Sequence, residues 1–411
     1  MIAASRRVLL AGGAAAILGQ AVPRRVRAAT APIRIGVLTD MSGAYAADSG
    51  QGSVVCAQLA VEDFARIHPG IPAEVISGDM QGKPDLAASL AAEWYDQRGV
   101  DVIVDVPVSS AALAVATVAR AKNKVALFNP ATSDLTGKAC GPNHIHWAFD
   151  TYALANSTAR AILATRGRSW FFVQADYAFG SSMVADTSAV VQGQGGKVLG
   201  TVKYPFPQTT DFSAFLLQAQ SSGADVVAFA NAGADAANCI KQAAEFGVAR
   251  RGTKLAALLC LIPQIHSIGL SDAKGLLLTE GFYWNLNDRT RALSARYAPR
   301  MGGSVPCTIQ AGCYSGVVHY LQAAVSLGVE AAQANGAAAV AEMKRLPTDD
   351  DAFGKGRVRE DSRKIHDMYL FRVKTPAESK SEWDLYELAG TTPGEQAYRP
   401  LAAGACPLVR G

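Results

Sequence analysis

The feature that most constrains the fold of this 411-residue chain is a strand–helix–strand pattern that occurs twice, about 124 residues apart. In the first copy an apolar run at 99–104 is followed by a helix of small residues and a second run at 124–128. The second copy has residues 223–228, a helix that ends near Gly247, and residues 254–258. Continuously apolar strands that alternate with helices are typical of parallel sheets covered on both faces. The repeat predicts an α/β protein with two similar lobes, although any two such units look alike.

The chain before the first copy continues the same alternation. Residues 33–38 are a predicted strand, and a loop rich in Gly and Ser, residues 41–52, leads into a helix with apolar residues at helical spacing. A chain of this length, with 49% hydrophobic residues, is too long for one ordinary core. Length and pattern therefore both favour two doubly wound lobes.

The loops that follow the predicted strands are the candidate binding site, because open α/β sheets bind ligands outside the carboxyl ends of their strands. These loops are rich in small residues and hydroxyl groups at helix starts: residues 40–45, 107–110 and 129–133 in the first lobe, and 174–180 and 231–235 in the second. Free backbone N–H groups at helix N-termini, together with Ser and Thr hydroxyls, form a receptor for a carboxylate.

The net charge of +4 is concentrated at the N-terminus. The first 28 residues contain five arginines and no acid, so the rest has 34 basic and 35 acidic residues, a net charge of −1. A chain that is nearly neutral over its length is not expected to bind nucleic acid.

The basic N-terminus has the pattern of an export signal over residues 1–28. Arg6 and Arg7 precede a short apolar run, residues 8–18, and Val26-Arg27-Ala28 offers a small-residue cleavage site. The apolar run is shorter than a membrane span requires, so an uncleaved anchor is the less favoured alternative. The paired arginines are also typical of the twin-arginine route, which exports folded proteins. We therefore expect a periplasmic protein.

Seven cysteines in an exported chain permit disulfides without requiring them. Cys140 and Cys406 lie in loops rich in Gly and Pro, and a bond between them would hold the C-terminal tail. Cys307 and Cys313 are a weaker pair, because six residues of separation at a helix start need not bring the sulfurs together. Two further cysteines are expected to be buried thiols: Cys239 and Cys260.

Sequence signatures of enzymes are missing: there is no Walker loop, complete G-x-G-x-x-G, serine-hydrolase elbow or H-E-x-x-H motif. His144 and His146 have no third ligand nearby in sequence, so we interpret them as structural. The sequence therefore predicts no catalytic residues, no metal and no cofactor. An exported enzyme with Ser109 or Cys260 as nucleophile is the alternative, but neither residue has an evident base.

Three segments carry a resemblance to a known family: residues 35–43, 129–136 and 176–180. In these segments, and in their order, the chain resembles the extracytoplasmic solute-binding proteins of ABC importers, in the branched-chain amino acid class with the type I periplasmic fold. The resemblance covers about residues 31–374. It implies a monomer that captures a small carboxylate by hinge closure and delivers it to a membrane permease. A periplasmic ligand sensor would have the same sequence features.

The resemblance also implies how the lobes are divided. Three crossover segments are expected near residues 149–150, 280–282 and 352–354. The resulting division is residues 31–149 plus 281–352 for the first lobe, 150–280 plus 353–375 for the second, and 376–411 for a C-terminal arm packed on the lobes.

By the same resemblance, the ligand's carboxylate is bound by Ser109, Ser110, Ala131, Thr132 and Ser133. The other expected ligand contacts come from both lobes: Tyr45, Asp48, Tyr177, Phe179, Asn231, Tyr283 and Trp284. Helix capping is the alternative role for the hydroxyl residues, and packing at a strand end is the alternative for Tyr177 and Phe179.

The same comparison bears on the ligand's chemistry. Amino acid binders of this class place an acid from the second lobe against the ligand's ammonium group, but the matching stretch here, residues 258–263, has none. Burying an unpaired ammonium group is costly, and aromatic residues at the expected cleft walls suit a planar ligand. The segments at 143–147 and 282–284 also resemble the subset that binds benzoate-type or phenylpropenoate-type acids. An aromatic acid is therefore favoured over a branched-chain or other amino acid or amide, although Asp48 or Asp235 remains available to an ammonium group.

Overall fold

The structure is a computed structural model that describes Met1, residues 31–165 and residues 167–409. The predicted export signal, residues 1–28, lies outside the described residues apart from Met1. Within the described ranges, no helix has both the length and the apolar character needed to cross a membrane.

The first lobe is built around a parallel sheet of five strands. Its strands are β1 (Ile33–Thr39), β2 (Ala73–Asp79), β3 (Val102–Asp105), β4 (Val125–Phe128) and β5 (His144–His146). The helices between them are α1 (Gly50–Ile67), α2 (Pro84–Asp96) and α3 (Ser109–Ala121). The strand order is β2-β1-β3-β4-β5, so the winding direction reverses between β1 and β3. The loops after these two strands therefore diverge at the position where such sheets bind ligands.

The second lobe repeats this arrangement around a parallel sheet of four strands. Its helices are α4 (Thr151–Ala164), α5 (Ala178–Gly193), α6 (Ser213–Ser221), α7 (Gly233–Glu245), α8 (Ile262–Ile268) and α9 (Leu270–Ala273). Its strands are β6 (Ser169–Ala175), β7 (Lys197–Tyr204), β8 (Val226–Ala230) and β9 (Lys254–Ala257), in the order β7-β6-β8-β9. All residues of β8 are buried, as expected of a central strand covered on both faces.

The rest of the chain returns to each lobe in turn. The strand β10 (Leu277–Glu280) is followed by four helices: α10 (Asp288–Tyr297), α11 (Thr308–Leu327), α12 (Val329–Ala334) and α13 (Gly336–Arg345). Of these, α11 packs along α1 of the first lobe. Short strands follow: β11 (Thr348–Asp350), β12 (Gly354–Val358) and β13 (Lys364–Ile365), then β14 (Met368–Val373), β15 (Tyr386–Thr392) and the helix α14 (Gly394–Ala397). The strand β14 pairs antiparallel with β10 on one side and β15 on the other.

This architecture confirms the predicted fold class, with two parallel-sheet lobes and three passages of the chain between them. The residue boundaries of the lobes stay a prediction. The segment 376–411 contains a strand of its own, β15, which extends the β10–β14 sheet.

The cysteines divide into one disulfide and five buried thiols. Cys140 and Cys406 are bonded, with their Cα atoms 5.6 Å apart, so the loop after β4 is joined to the C-terminal segment. The buried thiols are Cys56, Cys239, Cys260, Cys307 and Cys313. The weaker sequence pairing, Cys307 with Cys313, is thus not formed; the Cys307 thiol instead donates to the Asp48 carbonyl.

Candidate functional site

One loop of the first lobe lies across the strand ends of the second. This closing loop, residues 40–49, connects β1 to α1. The Asp40 carboxylate gives it its shape by accepting hydrogen bonds from the backbone N–H groups of Gly43 at 2.9 Å and Tyr45 at 3.1 Å. A buried aspartate at the end of a strand thus folds the loop back on itself.

The closing loop contacts the second lobe through both backbone and side chain. The Ala44 carbonyl accepts a hydrogen bond from the Ala234 N–H at 3.0 Å, and the Tyr45 hydroxyl contacts the Tyr177 hydroxyl. Gly233 has φ +59°, and a Cβ there would lie 2.3 Å from the Ala44 carbonyl oxygen, so only glycine permits this approach. Because Tyr177 follows β6 and Ala234 follows β8, the loop covers the second lobe's own winding reversal.

Asp48 continues the closing loop toward the end of β9. Its carboxyl group lies against the side chain of Gln264, at the start of α8. Its backbone is held from the first lobe: the Asp48 carbonyl accepts from the Cys307 thiol at 3.0 Å, and the neighbouring carbonyl of Ala47 accepts from the Gln310 amide at 3.1 Å. The N-terminal end of α11 thereby fixes the position of Asp48.

The N-terminus of α3 is a candidate anion receptor. The first intrahelical bond of α3 runs from Ala112 to Val108, so the N–H groups of Ser109, Ser110 and Ala111 have no partner among the described residues. Such groups, at the positive end of a helix, attract a carboxylate. The Ser109 hydroxyl accepts a hydrogen bond from the Thr132 N–H at 3.1 Å and so ties the loop after β4 to this helix.

The segment that leads into α3 has an unusual backbone. Asp105 and Val106 are both left-handed, with φ of +86° and +54°. This region is costly for residues other than glycine, and most of all for a β-branched one. Strain of this kind at the turn before α3 is consistent with a functional constraint on how the helix N-terminus is presented.

Thr132 and Ser133 contact α5 of the second lobe in this structure. The hydroxyls of Thr132 and Ser182 lie 2.5 Å apart, and the Ser133 hydroxyl donates to the Asp186 carboxylate at 2.8 Å. Thr132 also caps the following turn by accepting from Asp134 N–H at 3.2 Å, which is the alternative role given to it above. Ala131, beside them, is buried.

An aromatic group closes one side of the cleft. The rings of Tyr177 and Phe206 stack, with their centroids 4.3 Å apart, while Tyr45 lies 6.2 Å from Phe206 and Phe179 6.1 Å from Tyr177. The structure therefore brings together three of the predicted aromatic contacts and adds Phe206. Phe206 lies just after β7, a strand that the sequence analysis did not identify, so its position had no signal in the sequence.

Tyr283 and Trp284 have other partners. The Trp284 indole N–H donates to the Trp383 carbonyl at 2.8 Å, and the Tyr283 ring packs against Phe371 and Tyr386 of β14 and β15. These contacts place both side chains with the C-terminal strands, and not with the aromatic group of the closing loop. Their role as ligand contacts stays a prediction.

Three buried acids lie around the cleft. Burial raises the pKa of Asp48 and of Asp105 to about 7, and that of Asp235 to about 6. The Asp235 carboxylate accepts a hydrogen bond from the Tyr204 hydroxyl at 2.8 Å. By contrast, no close hydrogen bond in the described ranges reaches Asp48 Oδ1 or the carboxylate oxygens of Asp105. Neighbouring side chains nevertheless partly offset the rise in both pKa values: that of Gln264 beside Asp48, and those of Ser53, Thr39 and Asn129 beside Asp105. Sequence reasoning did not identify Asp105, because it is the last residue of a buried strand.

Asn231 is buried at the end of β8. Its amide nitrogen donates to the Cys239 sulfur at 3.2 Å, and its amide oxygen has no partner among the described residues. It thus presents an amide at the end of β8, and its role as a ligand contact stays a prediction.

The residues considered above as nucleophiles or metal ligands are poorly suited to those tasks. Burial raises the pKa of the Cys260 thiol well above its ordinary value, which makes the reactive thiolate scarce. In the part of the chain that the structure describes, no three His, Cys, Asp or Glu side chains are grouped to hold a metal ion.

Comparisons with known proteins identify the family of the chain. A family model described as "Periplasmic binding protein" matches residues 32–380. The crystal structure of a periplasmic binding protein from Burkholderia mallei is 43% identical, with a TM-score of 0.87, and the match covers 92% of this chain and 99% of that one. A branched chain amino acid ABC transporter periplasmic ligand-binding protein from Burkholderia xenovorans is 37% identical, with a TM-score of 0.80 and coverage of 92% and 99%.

A more distant structure shares the fold alone. It is a solute binding protein of an ABC transporter from R. palustris, crystallised with 4-hydroxybenzoate, at 20% identity and a TM-score of 0.79, covering 90% of this chain and 99% of that one. Among curated proteins, none matches the chain.

Proposed function

The chain belongs to the periplasmic binding protein family, and on this premise we propose that it is the solute-binding protein of an ABC importer, which captures a small carboxylate between its two lobes. The closing loop is the observation that carries this proposal. It lies across the ends of second-lobe strands, on the same side of the first-lobe sheet as the unpaired N–H groups of α3. A carboxylate seated on those N–H groups is enclosed when the loop docks, and the closed protein then delivers it to a membrane permease.

The aromatic group supports a ligand with a planar, aromatic body. The Phe206 ring lies near both Tyr45 and Tyr177, and aromatic rings grouped in this way favour contact with a flat ligand. The protein from R. palustris that was crystallised with 4-hydroxybenzoate has the same fold. A branched-chain or other amino acid or amide is the second candidate, because the relative from B. xenovorans is a branched chain amino acid transporter component.

The proposal assigns the protein no catalytic activity. The Ser109 hydroxyl is occupied as the acceptor of the Thr132 N–H, and the Cys260 thiol is buried with a raised pKa. A nucleophile needs an adjacent base or a lowered pKa, and neither residue has one among the described contacts. Mass spectrometry of ligand recovered after incubation tests this: a binding protein returns the ligand unaltered.

Family membership places the protein in the periplasm. Export by the twin-arginine route, a monomeric state and the absence of nucleic acid binding belong to the proposal and rest on the sequence. A ligand sensor is separated from an importer by uptake of labelled ligand, which a deletion strain loses only if the protein serves transport.

The carboxylate receptor is tested by placing a negative charge in it. An aspartate in the first turn of a helix is favourable, so Ser110→Asp is expected to fold normally while its carboxylate repels that of the ligand. We expect at least a tenfold loss of affinity by calorimetry. Thr117→Asp, on the exposed face of the same helix, adds the same charge away from the cleft and should leave affinity unchanged.

The ligand class is tested by thermal shift with benzoate, 4-hydroxybenzoate, phenylalanine, leucine and valine. Stabilisation by aromatic carboxylates, and loss of that stabilisation in Ser110→Asp, would support the proposal. Stabilisation by leucine or valine and by no aromatic carboxylate would contradict the aromatic assignment.

A further inference from the structure

The three expected crossover segments between the lobes meet at one side chain, that of His366. This residue follows β13 and is 3% exposed. Beside the first segment, its Nε2 atom lies 2.6 Å from the Ala148 carbonyl oxygen. In the second, a Cβ added to Gly281 would lie 2.6 Å from the His366 Cε1 atom, so only glycine admits the ring. In the third, the ring stacks on that of Phe353, with the centroids 4.3 Å apart.

A side chain in this position follows any change in the angle between the lobes. Closure rotates the lobes about the crossover segments, so the rotation must alter at least one contact of His366. The C-terminal segment adds a further contact: the Tyr398 hydroxyl lies 2.9 Å from His366 Nε2 and donates to the Ala148 carbonyl at 3.5 Å. His366 is thus a residue of the hinge and not of the ligand cleft.

Each ring nitrogen of His366 faces a carbonyl oxygen. Nε2 lies 2.6 Å from that of Ala148, and Nδ1 lies 2.9 Å from that of Asp367. A carbonyl oxygen only accepts, and a neutral imidazole has a single N–H, so a neutral ring donates to one of the two. A nitrogen and an oxygen 2.6 Å apart repel each other unless a hydrogen lies between them. The hydrogen is therefore on Nε2, and its bond to Ala148 holds the first crossover segment.

The surroundings of the ring disfavour a second proton. Burial lowers the pKa of His366 well below its ordinary value, and the cations of Lys364 and Arg363 lower it further. The acids nearby have partners of their own: Asp150 lies 3.8 Å from Arg363, Asp367 accepts from Gly394 N–H at 2.8 Å, Asp350 accepts from the Ser315 hydroxyl at 2.7 Å, and Glu280 accepts from the Thr308 hydroxyl at 2.7 Å. The ring of His366 is therefore neutral in this closed arrangement.

We propose that His366 is the pivot of the hinge and that the lobes close only while its ring is neutral, so that a proton on His366 opens the protein and weakens ligand binding. The inference rests on the proposed function, because it concerns the closure by which the ligand is captured. When the lobes separate, the Ala148 carbonyl withdraws and water reaches the ring. The open form then accepts the proton that the closed form excludes.

The sign and size of the effect follow from the two forms. In the closed form the pKa of His366 is lowered, and in the open form hydration returns it toward the ordinary 6.5. Affinity is therefore complete above pH 6.5 and falls as the pH drops below it, by about tenfold between pH 7.5 and 5.5. The raised pKa values of Asp48 and Asp105 have the opposite effect, because protons on these acids favour the closed form. The contribution of His366 must therefore be measured against a variant that keeps both acids.

His366→Gln is that variant. Its amide N–H still donates to the Ala148 carbonyl, but the side chain does not titrate. We expect its affinity at pH 7.5 to be within threefold of that of the unmodified protein. At pH 5.5 it should bind about tenfold more tightly than the unmodified protein. His366→Phe keeps the stacking on Phe353 but has no N–H, and it should bind more weakly than His366→Gln at both pH values.

His319→Gln is the matched control. His319 is also buried and also donates from Nε2 to a carbonyl, that of Met343 at 2.8 Å, but both residues belong to helices of the first lobe, α11 and α13. Closure does not change this contact. The affinity of His319→Gln relative to the unmodified protein should therefore be the same at both pH values.

The experiment combines affinity with a distance between the lobes. Affinities for 4-hydroxybenzoate, phenylalanine and leucine are measured by calorimetry at pH 7.5 and 5.5. Electron paramagnetic resonance measures the distance between spin labels on Ser89→Cys in α2 and Ser221→Cys in α6, with and without these compounds; the five native thiols are buried. Acidification should shift the unmodified protein and His319→Gln toward the open distance, and it should shift His366→Gln much less.

The outcomes separate this inference from the proposed function. If a compound binds and the affinity of His366→Gln relative to the unmodified protein is the same at both pH values, the inference is overturned and the binding function stands. A gain of affinity at pH 5.5 that is lost in His366→Gln would also overturn it, since the closed form would then carry the proton. If none of the compounds binds, the proposed ligand classes fail, and the distance in the ligand-free protein decides: a pH-dependent shift that His366→Gln lacks supports the inference, and any other result overturns it.

A spectroscopic measurement covers the case in which His366→Gln does not fold. In protein labelled with 15N-histidine, the ring nitrogens of His366 report their protonation directly. We expect a neutral ring with its hydrogen on Nε2 in the compound-saturated protein at pH 5.5, and a protonated ring in the ligand-free protein at that pH. The same protonation state in both would overturn the inference.

Discussion

Several buried carboxyl groups near the cleft have pKa values far above the ordinary range of acids. Burial raises the pKa of Glu280, at the end of β10, to about 8, while the Thr308 hydroxyl, which donates to it at 2.7 Å, opposes the rise. Asp48 and Asp105 have pKa values of about 7 for the same reason. Groups of this kind change charge near neutral pH, so both stability and binding should depend on pH there.

Glu280 should make the protein less stable as the pH rises. Its folded pKa of about 8 exceeds the ordinary 4.5, so between these values the folded state binds more protons than the unfolded state and stability falls with increasing pH. Glu280→Gln removes this term, and we expect a flatter profile of melting temperature from pH 5 to 9. At pH 8 the free energy of unfolding of Glu280→Gln should differ from that of the unmodified protein by on the order of a few kcal/mol.

Glu342→Gln is the control for that profile. The Arg345 side chain lowers the pKa of the half-buried Glu342 to about 2, so this residue does not titrate above pH 5. Its profile should run parallel to that of the unmodified protein. If the Glu280→Gln profile is also parallel to that of the unmodified protein, Glu280 is not the source of this pH dependence.

Asp48 should release a proton when an amine-bearing ligand binds. Its pKa of about 7 without ligand leaves it partly protonated at pH 6.5, and a cation beside it favours the charged form. Calorimetry in two buffers of different ionisation enthalpy should detect release of up to one proton per ligand. Asp48→Asn should abolish most of this release, with Asp105 and Glu280 as the remaining nearby acids; proton uptake in the unmodified protein would contradict the expectation.

At the scale of elements, the closing loop is a part of the first lobe that contacts the second lobe directly. Its contact with the loop after β8 is a single backbone hydrogen bond, from Ala234 N–H to the Ala44 carbonyl, and Gly233 makes room for it. The closed arrangement therefore depends on the absence of one side chain.

Gly233→Ala should weaken ligand binding through closure. The added methyl group would lie 2.3 Å from the Ala44 carbonyl oxygen, so the loop cannot dock as it does now. Gly223→Ala is the matched control, because Gly223 has φ +67° and a methyl group added there would meet nothing within 4 Å. Both changes should cost about 1 kcal/mol in backbone strain, but only Gly233→Ala should reduce affinity, by tenfold or more. Equal affinities would show that the loop contact does not contribute to binding.

The elements were largely predictable from sequence because each buried parallel strand is a short apolar run followed by a helix. The runs at 99–104 and 223–228 became β3 and β8. Phe206 and Gln264 were not predicted as neighbours of the closing loop, because their proximity depends on how one lobe docks on the other. Tyr283 and Trp284 were placed by resemblance alone, and the packing of β14 and β15 gave them partners that no local pattern indicates.

At the scale of the whole molecule, the C-terminal segment adds a connection to the three passages of the chain between the lobes. After β15, Tyr398 packs under the Arg363 guanidinium at 4.3 Å, and Cys406 is bonded to Cys140 of the first lobe. The strand β15 itself extends the β10–β14 sheet. The segment thus reaches from the sheet beside the second lobe to the strand ends of the first.

The disulfide should stabilise the protein without determining its affinity. It closes a loop of 266 residues, which restricts the unfolded chain, and removing such a bond costs about 2–5 kcal/mol. In the folded protein the Arg359 guanidinium also donates to the Arg399 carbonyl at 2.9 Å, a contact to the same segment that does not involve the disulfide. The double variant Cys140→Ser, Cys406→Ser should therefore melt at a lower temperature and keep its affinity within about twofold; a large loss of affinity would show that the last residues shape the cleft.

Replacing Arg399 should have the opposite effect to removing the disulfide: it should lower affinity more than melting temperature, because the Arg399 side chain contacts both lobes. Its guanidinium donates to the Asp186 carboxylate of α5 at 3.1 Å and contacts the Ser133 hydroxyl of the first lobe. Asp186 is largely buried, and losing a charged partner from such a group costs about 1–3 kcal/mol. If the contact forms only on closure, Arg399→Gln lowers affinity about tenfold and leaves the melting temperature of the ligand-free protein nearly unchanged.

Arg357→Gln, which removes an exposed ion pair with Glu395 in the same segment, should change neither affinity nor melting temperature appreciably. A lower melting temperature with unchanged affinity would instead show that Arg399 holds the lobes in both states, so that the hinge moves about this contact.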